Sequence, residues 1–135
     1  MQIIRDPAET STIADPELRQ LIEKTIRDLS EDRPYDPDEL GFFLILEPGV
    51  DTLPDINEKL GSDILCNRWT GIRFDQPGYT QSFEILEEHA GYYEIVFVIS
   101  DDGYGIEVFI PKTAGIDPEL LAMCTKYATP APVAI

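Results

Sequence analysis

The stretch from Ser82 to Pro111, SFEILEEHAGYYEIVFVISDDGYGIEVFIP, decides the fold. Three runs rich in β-branched and aromatic residues, Ser82–Glu88, Tyr92–Ser100 and Tyr104–Pro111, are separated by His89-Ala90-Gly91 and Asp102-Gly103. Asp-Gly between alternating apolar runs signals a two-residue type I′ hairpin. That turn sets Ile99 opposite Ile106, Phe97 opposite Val108 and Ile95 opposite Ile110. At the earlier turn, a two-residue loop at Ala90-Gly91 would put Glu87 across from Glu94, a like-charge pair that costs stability. A three-residue loop, His89–Gly91, avoids this and pairs Ile85 with Ile95 and Phe83 with Phe97. Both hairpins then agree on one apolar face: Phe83, Ile85, Tyr93, Ile95, Phe97, Ile99, Ile106, Val108 and Ile110. The other face carries Glu84, Leu86, Glu88, Tyr92, Glu94, Val96, Val98, Glu107 and Phe109.

Outward from this meander, Gly41–Leu46 (GFFLIL) reads as a further buried strand, stopped by Glu47-Pro48-Gly49. Pro54–Leu60 predicts a short helix with Gly61 as its stop. Residues 31–40 predict a loop, and residues 62–81 short irregular strands and turns. The tripeptide Asp-Pro-Glu occurs at Asp15 and again at Asp117. Each time it offers an N-cap, a proline at the first helical position and an acid at the positive helix end. Leu18, Leu21, Ile22, Ile26 and Leu29 form the apolar stripe of the first helix, which should end near Ser30. Leu120, Leu121, Cys124 and Tyr127 form that of the last. The expected class is α+β, an antiparallel β-meander of three to five strands packed with an N-terminal and a C-terminal α-helix. Residues 15–128 form its single domain, with an N-terminal arm at 1–14 and a loose tail at 129–135.

At 135 residues the chain can build one hydrophobic core without staples. Its 26 acids outnumber 10 bases, for a net charge of −16. Direct nucleic-acid binding and docking on anionic membranes are thereby disfavoured, since both need Lys and Arg. No Lys or Arg lies between Arg73 and Lys112, an interval with eight acids. Residues 1–40 hold eleven acids against five bases. The N-terminus shows neither a charged leader nor an apolar run, and no segment is long enough to span a bilayer, so a cytoplasmic location is expected.

Catalytic chemistry finds little to work with. The one histidine, His89, falls in a turn. Phosphate-loop, nucleophile-elbow and zinc-protease motifs are missing. Cys66 and Cys124 have no metal-site spacing, and Asp101, Asp102 and Glu107 do not match a calcium loop. No cofactor and no metal is expected, and the chain is expected not to be an enzyme. Cys124 suits a buried small hydrophobe.

The expected function is that of a small acidic binding protein. Its carboxylates would occupy the Lys/Arg groove of a basic partner, such as a nucleic-acid-binding enzyme or toxin, as an inhibitor, immunity protein, antitoxin or nucleic-acid mimic. The expected contacts are Glu84, Glu88, Glu94 and Glu107, with Tyr92 and Phe109 as apolar anchors. An alternative is a small-ligand or enzymatic site around Cys66, Arg68, Trp69 and Arg73, where two arginines could receive a carboxylate or phosphate. A third is a structural subunit, including a homodimer formed over Val96 and Phe109. A helix covering the outer sheet face competes with all readings that need that face exposed.

Overall fold

The computed structural model describes residues 1–60, 73–75, 80–85, 91–98 and 105–128. Five strands form one mixed sheet: β1 (Gln2–Ile4), β2 (Gly41–Ile45), β3 (Thr80–Ile85), β4 (Tyr92–Val98) and β5 (Gly105–Pro111). Their spatial order is β1-β2-β5-β4-β3. β3, β4 and β5 are the expected antiparallel meander, and β2 lies parallel to β5 on its other side. The α-helices among the described residues are α1 (Pro16–Leu29), the single turn α2 (Pro37–Leu40), α3 (Leu53–Leu60) and α4 (Pro118–Ala128). The class is therefore α+β.

Over the described residues the faces are as expected, Leu86, Glu88 and Ile99 lying outside them, but the registers differ. Phe97 pairs with Ile106 and Ile95 with Val108, two residues from the expected pairing; Phe83 pairs with Ile95, again two residues away. A shift of two leaves every side chain on its own face, so the apolar pattern cannot distinguish these registers. The observed register sets Glu84 opposite Glu94, a like-charge pairing of the kind the expected loop was chosen to avoid. The two turn segments themselves lie outside the described residues.

Ile95, Phe97, Ile106, Val108 and Ile110 pack with Phe42 and Leu44 of β2, beneath Ile56 of α3 and Leu120 and Cys124 of α4. Phe74 joins them, its ring edge-on to Phe97 with centroids 5.7 Å apart. Leu121 of the expected α4 stripe points outward instead and is 41% exposed. Tyr127 lies outside the residues whose side chains are described.

α1 begins and ends as the sequence dictates. Asp15 accepts hydrogen bonds from the N–H groups of Glu17 (2.9 Å) and Leu18 (3.3 Å), and Ser30 is the C-cap. Leu18, Ile22 and Ile26 are buried, and they cover the outer face over Ile4, Phe43 and Phe109. Asp117 behaves differently from Asp15. Its carbonyl starts α4 by accepting from Leu121 N–H, but its carboxylate accepts from Leu53 N–H (3.2 Å) at the start of α3. It therefore ties two helix starts together. α3 carries its own reciprocal cap: Thr52 Oγ1 accepts from Asp55 N–H and Asp55 Oδ2 accepts from Thr52 N–H.

Residues 1–14, expected as an arm, are built into the domain. β1 pairs antiparallel with β2, a 3₁₀ helix follows over Pro7–Thr12, and Ile4 and Ile13 are buried. The Met1 amino group lies 2.8 Å from Asp51 Oδ2, both groups being buried, and Asp51 also accepts from Glu47 N–H. A three-residue segment, Gln2-Ile3-Ile4, is too short to carry a periodic strand signal; the neighbouring β2 supplies the partner that makes it one.

Phe109 requires a correction. It was expected as an exposed anchor, yet it is fully buried beneath α1. β5 sits at the centre of the sheet with β2 beside it, so its outer side chains fall under the helix. Phe109→Ala should lower unfolding free energy by about 3–5 kcal/mol in urea titration, the usual cost of emptying a buried phenylalanine site. Asp15→Ala should cost about 1 kcal/mol in the same measurement.

Candidate functional site

The outer face is only half covered. Cross-strand rows run Ser82–Val96–Glu107–Phe43–Ile4 and Glu84–Glu94–Phe109–Ile45–Gln2. α1 caps the β1, β2 and β5 ends of these rows. On β4, Glu94, Val96 and Val98 remain partly exposed, and so does Glu107 on β5. Beside them opens a groove of about 160 Å³, walled by Leu29, Leu40, Val96 and Val98 and touched by Glu107.

Two glycines create that groove. The next row is Val98–Gly105–Gly41, so two adjacent positions carry no side chain. Gly41 has φ +104°, and a Cβ there would overlap the carbonyl oxygen of Gly105. Only glycine permits so close an approach of two backbones. The Gly41 carbonyl accepts a 2.6 Å hydrogen bond from the Tyr35 hydroxyl, whose ring stacks on Phe43. The chain before β2 is thereby held against the sheet, which places Leu40 at the groove wall. Leu29 was expected in the core stripe of α1. It instead lies at the last turn of the helix, 40% exposed, on the opposite wall.

The expected partner-binding residues are thus distributed unevenly. Glu94 and Glu107 share the partly exposed outer face. Glu84 stands opposite Glu94 in register, and Glu88 lies outside the described residues. Tyr92 is half-buried against the cluster under α1. Burial, and next the Asp15 carboxylate, raises its phenol above the ordinary tyrosine value. Phe109 is interior, so the expected two-fold contact over Val96 and Phe109 loses one of its two anchors. Leu29, Leu40 and the glycine floor were not singled out from the sequence, because a groove between a helix end and a sheet leaves no local pattern.

The exposed side of α1 is balanced rather than acidic. Arg19 Nε lies 2.9 Å from Glu23 and Lys24 Nζ 3.5 Å from Asp28, each one helical turn apart. The Arg19 hydrogen bond holds the Glu23 carboxyl below its usual range. The acid surplus therefore lies away from this helix: residues 31–60 carry nine acids against two bases.

Of the alternative ligand site, Cys66, Arg68 and Trp69 fall outside the described residues. Arg73 is exposed and already engaged. Its Nε and Nη2 each donate 3.1 Å bonds to the two oxygens of Asp75, a bidentate fork. Asn57 Nδ2 also donates to Asp75, while Asn57 Oδ1 accepts from Phe74 N–H at 2.6 Å. The arrangement pins Phe74 into the core, and a bound carboxylate would have to displace Asp75 from Arg73. Among the described residues no group of three or more His, Cys, Asp or Glu is placed to hold a metal ion, and no helix is long and apolar enough to cross a membrane.

Two measurements check these assignments. The Arg73 hydrogen bonds hold the Asp75 carboxyl below its ordinary value. Its contribution to stability is complete above the unfolded carboxylate value of about 3.9 and is lost as pH falls through the lower folded value. Asp75→Asn should therefore be less stable than wild type at neutral pH, and urea titrations should bring the two together as pH falls through that lowered value. Burial pushes the Cys124 thiol up to about 12. Native protein at neutral pH should show no alkylation of Cys124 by peptide mass spectrometry, whereas urea-unfolded protein should be labelled there, because only the thiolate attacks.

Comparison with family models, curated proteins and solved structures returns no match.

Proposed function

We propose that this chain is a small, non-enzymatic binding protein for a basic protein partner, docked on the outer face of β4 and β5. The observation that supports the reading is the half-covered face, on which Val96 and Val98 sit among Glu94 and Glu107. An apolar centre with a charged rim is the ordinary anatomy of an interface. A net charge of −16 adds long-range attraction for a cationic partner and repels nucleic acid. Blocking a nucleic-acid-binding enzyme or toxin is the activity such a surface best serves, since carboxylates held on a sheet would offer the Lys/Arg groove of that partner the charge it meets in backbone phosphates. The groove is smaller than the roughly 300–1,000 Å³ typical of small-molecule sites, which favours a partner surface over a substrate pocket.

The test uses immobilised protein challenged with host lysate and eluted by a salt gradient. A basic protein should be retained at low ionic strength and released as the Debye length shrinks from about 10 Å at 0.1 M to about 3 Å at 1 M. The double variant Glu94→Lys/Glu107→Lys should lose that protein while keeping the wild-type thermal midpoint to within a few degrees. Glu31→Lys/Asp32→Lys, in the loop after α1, should retain it. Loss in the loop variant with retention in the sheet variant would move the interface elsewhere. Retention in both would reduce the charge to a solubility role.

A further inference from the structure

Resting on the acidic-surface reading, we infer that the glycine-floored groove is the anchor point of the interface. It receives one apolar side chain of the partner, of leucine or isoleucine size, from a polypeptide segment whose flanking Lys or Arg lie toward Glu94 and Glu107.

Three observations fix this occupant. The first is volume. About 160 Å³ matches a cavity that takes one small apolar group and is too small for a nucleotide or a cofactor. The second is lining. Leu29, Leu40, Val96 and Val98 are the walls, and the floor is the Gly105–Gly41 backbone, so the interior rewards an apolar group. The third is the charge around the opening. Glu107 borders the groove, and Glu94 lies on the same face of β4, two residues from Val96. Between Arg73 and Lys112 the chain carries no Lys or Arg, so the meander adds no positive charge of its own. A second copy of this chain would bring the same negative charge to the same place. A basic segment is the complementary occupant. An apolar anchor seated in a pocket, with polar contacts at the rim, is the arrangement that concentrates binding energy in one side chain.

The groove also separates this partner from a purely cationic one such as a polyamine or a polylysine tract. Those would be held by the carboxylates alone and would leave the groove empty.

The experiment titrates the full chain with two synthetic lysine-rich peptides, identical except for a central Leu or Ala, by calorimetry at low and high salt. The Leu peptide should bind about tenfold more tightly, the effect of burying one leucine side chain, and both should weaken with salt. Its methyl spectrum should shift at Leu29, Val96 and Val98. Val98→Phe, which fills the groove from its wall, should abolish the Leu-over-Ala preference and keep the salt-dependent component. Equal, salt-dependent binding of both peptides would overturn the groove assignment and leave the acidic-surface reading standing. Tighter binding of the Leu peptide with shifts confined to other residues would overturn the groove assignment too. Binding of neither peptide would overturn both.

Discussion

The close approach of β2 to β5 at Gly41 and Gly105 is the constraint on which the rest of the molecule depends. These strands are far apart in sequence and run parallel, so neither a hairpin nor a local turn can align them. Their alignment begins where two glycine backbones meet in a space that excludes a Cβ. From there Phe42 and Leu44 are delivered to the inner face and Phe43 to the outer one. β1 then adds to the free side of β2. The N-terminal half of the chain and the meander become one sheet through this contact, and the five-strand order follows from it.

The same contact explains why the two faces differ. α3, α4 and Phe74 pack on the inner face of β2, β4 and β5. On the outer face, among the described residues, α1 packs over Ile4, Phe43 and Phe109, with Ile45 and Tyr92, the first residue of β4, at the edge of the cluster. The β4 side is left to Val96, Val98 and Glu94, beside a row where two glycines contribute no side chain. Beyond Tyr92, the described outer face of β4 is a margin in which Val96 and Val98 stand beside Glu94 and Glu107. The exposed side of α1 balances its own charges through Arg19–Glu23 and Lys24–Asp28, so the acid surplus of the chain lies elsewhere.

Polar groups do much of the joining between elements. Asp117 links the first turns of α3 and α4 through Leu53 N–H, and Asn57 and Arg73 together fix the backbone and flank of Phe74. Asp51 receives both the Met1 amino group and the Glu47 N–H in a buried setting. A buried ion pair is costly to break once formed, because it strands a charge away from water. These contacts bind the start of the chain, the loop after β2 and two helices into a unit whose apolar layers alone would not specify their mutual orientation.

The sequence by itself determined what depends on neighbours within a few residues. Asp15-Pro16-Glu17 marked the start of α1 and Ser30 its end, since capping is a local exchange of hydrogen bonds. Alternation over residues 82–111 sorted Ile95, Phe97, Ile106, Val108 and Ile110 onto one face, since side-chain direction along a strand repeats every two residues. The same periodicity concealed the register, because a slip of two residues preserves both faces, and it hid the Glu84–Glu94 pairing. Of the site, Glu94, Glu107, Val96 and Val98 were legible as one face, but Leu29, Leu40 and the glycine floor were not. Tertiary structure alone decided that β2 runs parallel to β5, that β1 joins the sheet, and that α1 lies over Phe109 and leaves Val96 and Val98 of β4 partly exposed. Those are choices between strands and helices far apart in sequence, made by which surfaces bury together, and no local pattern encodes them.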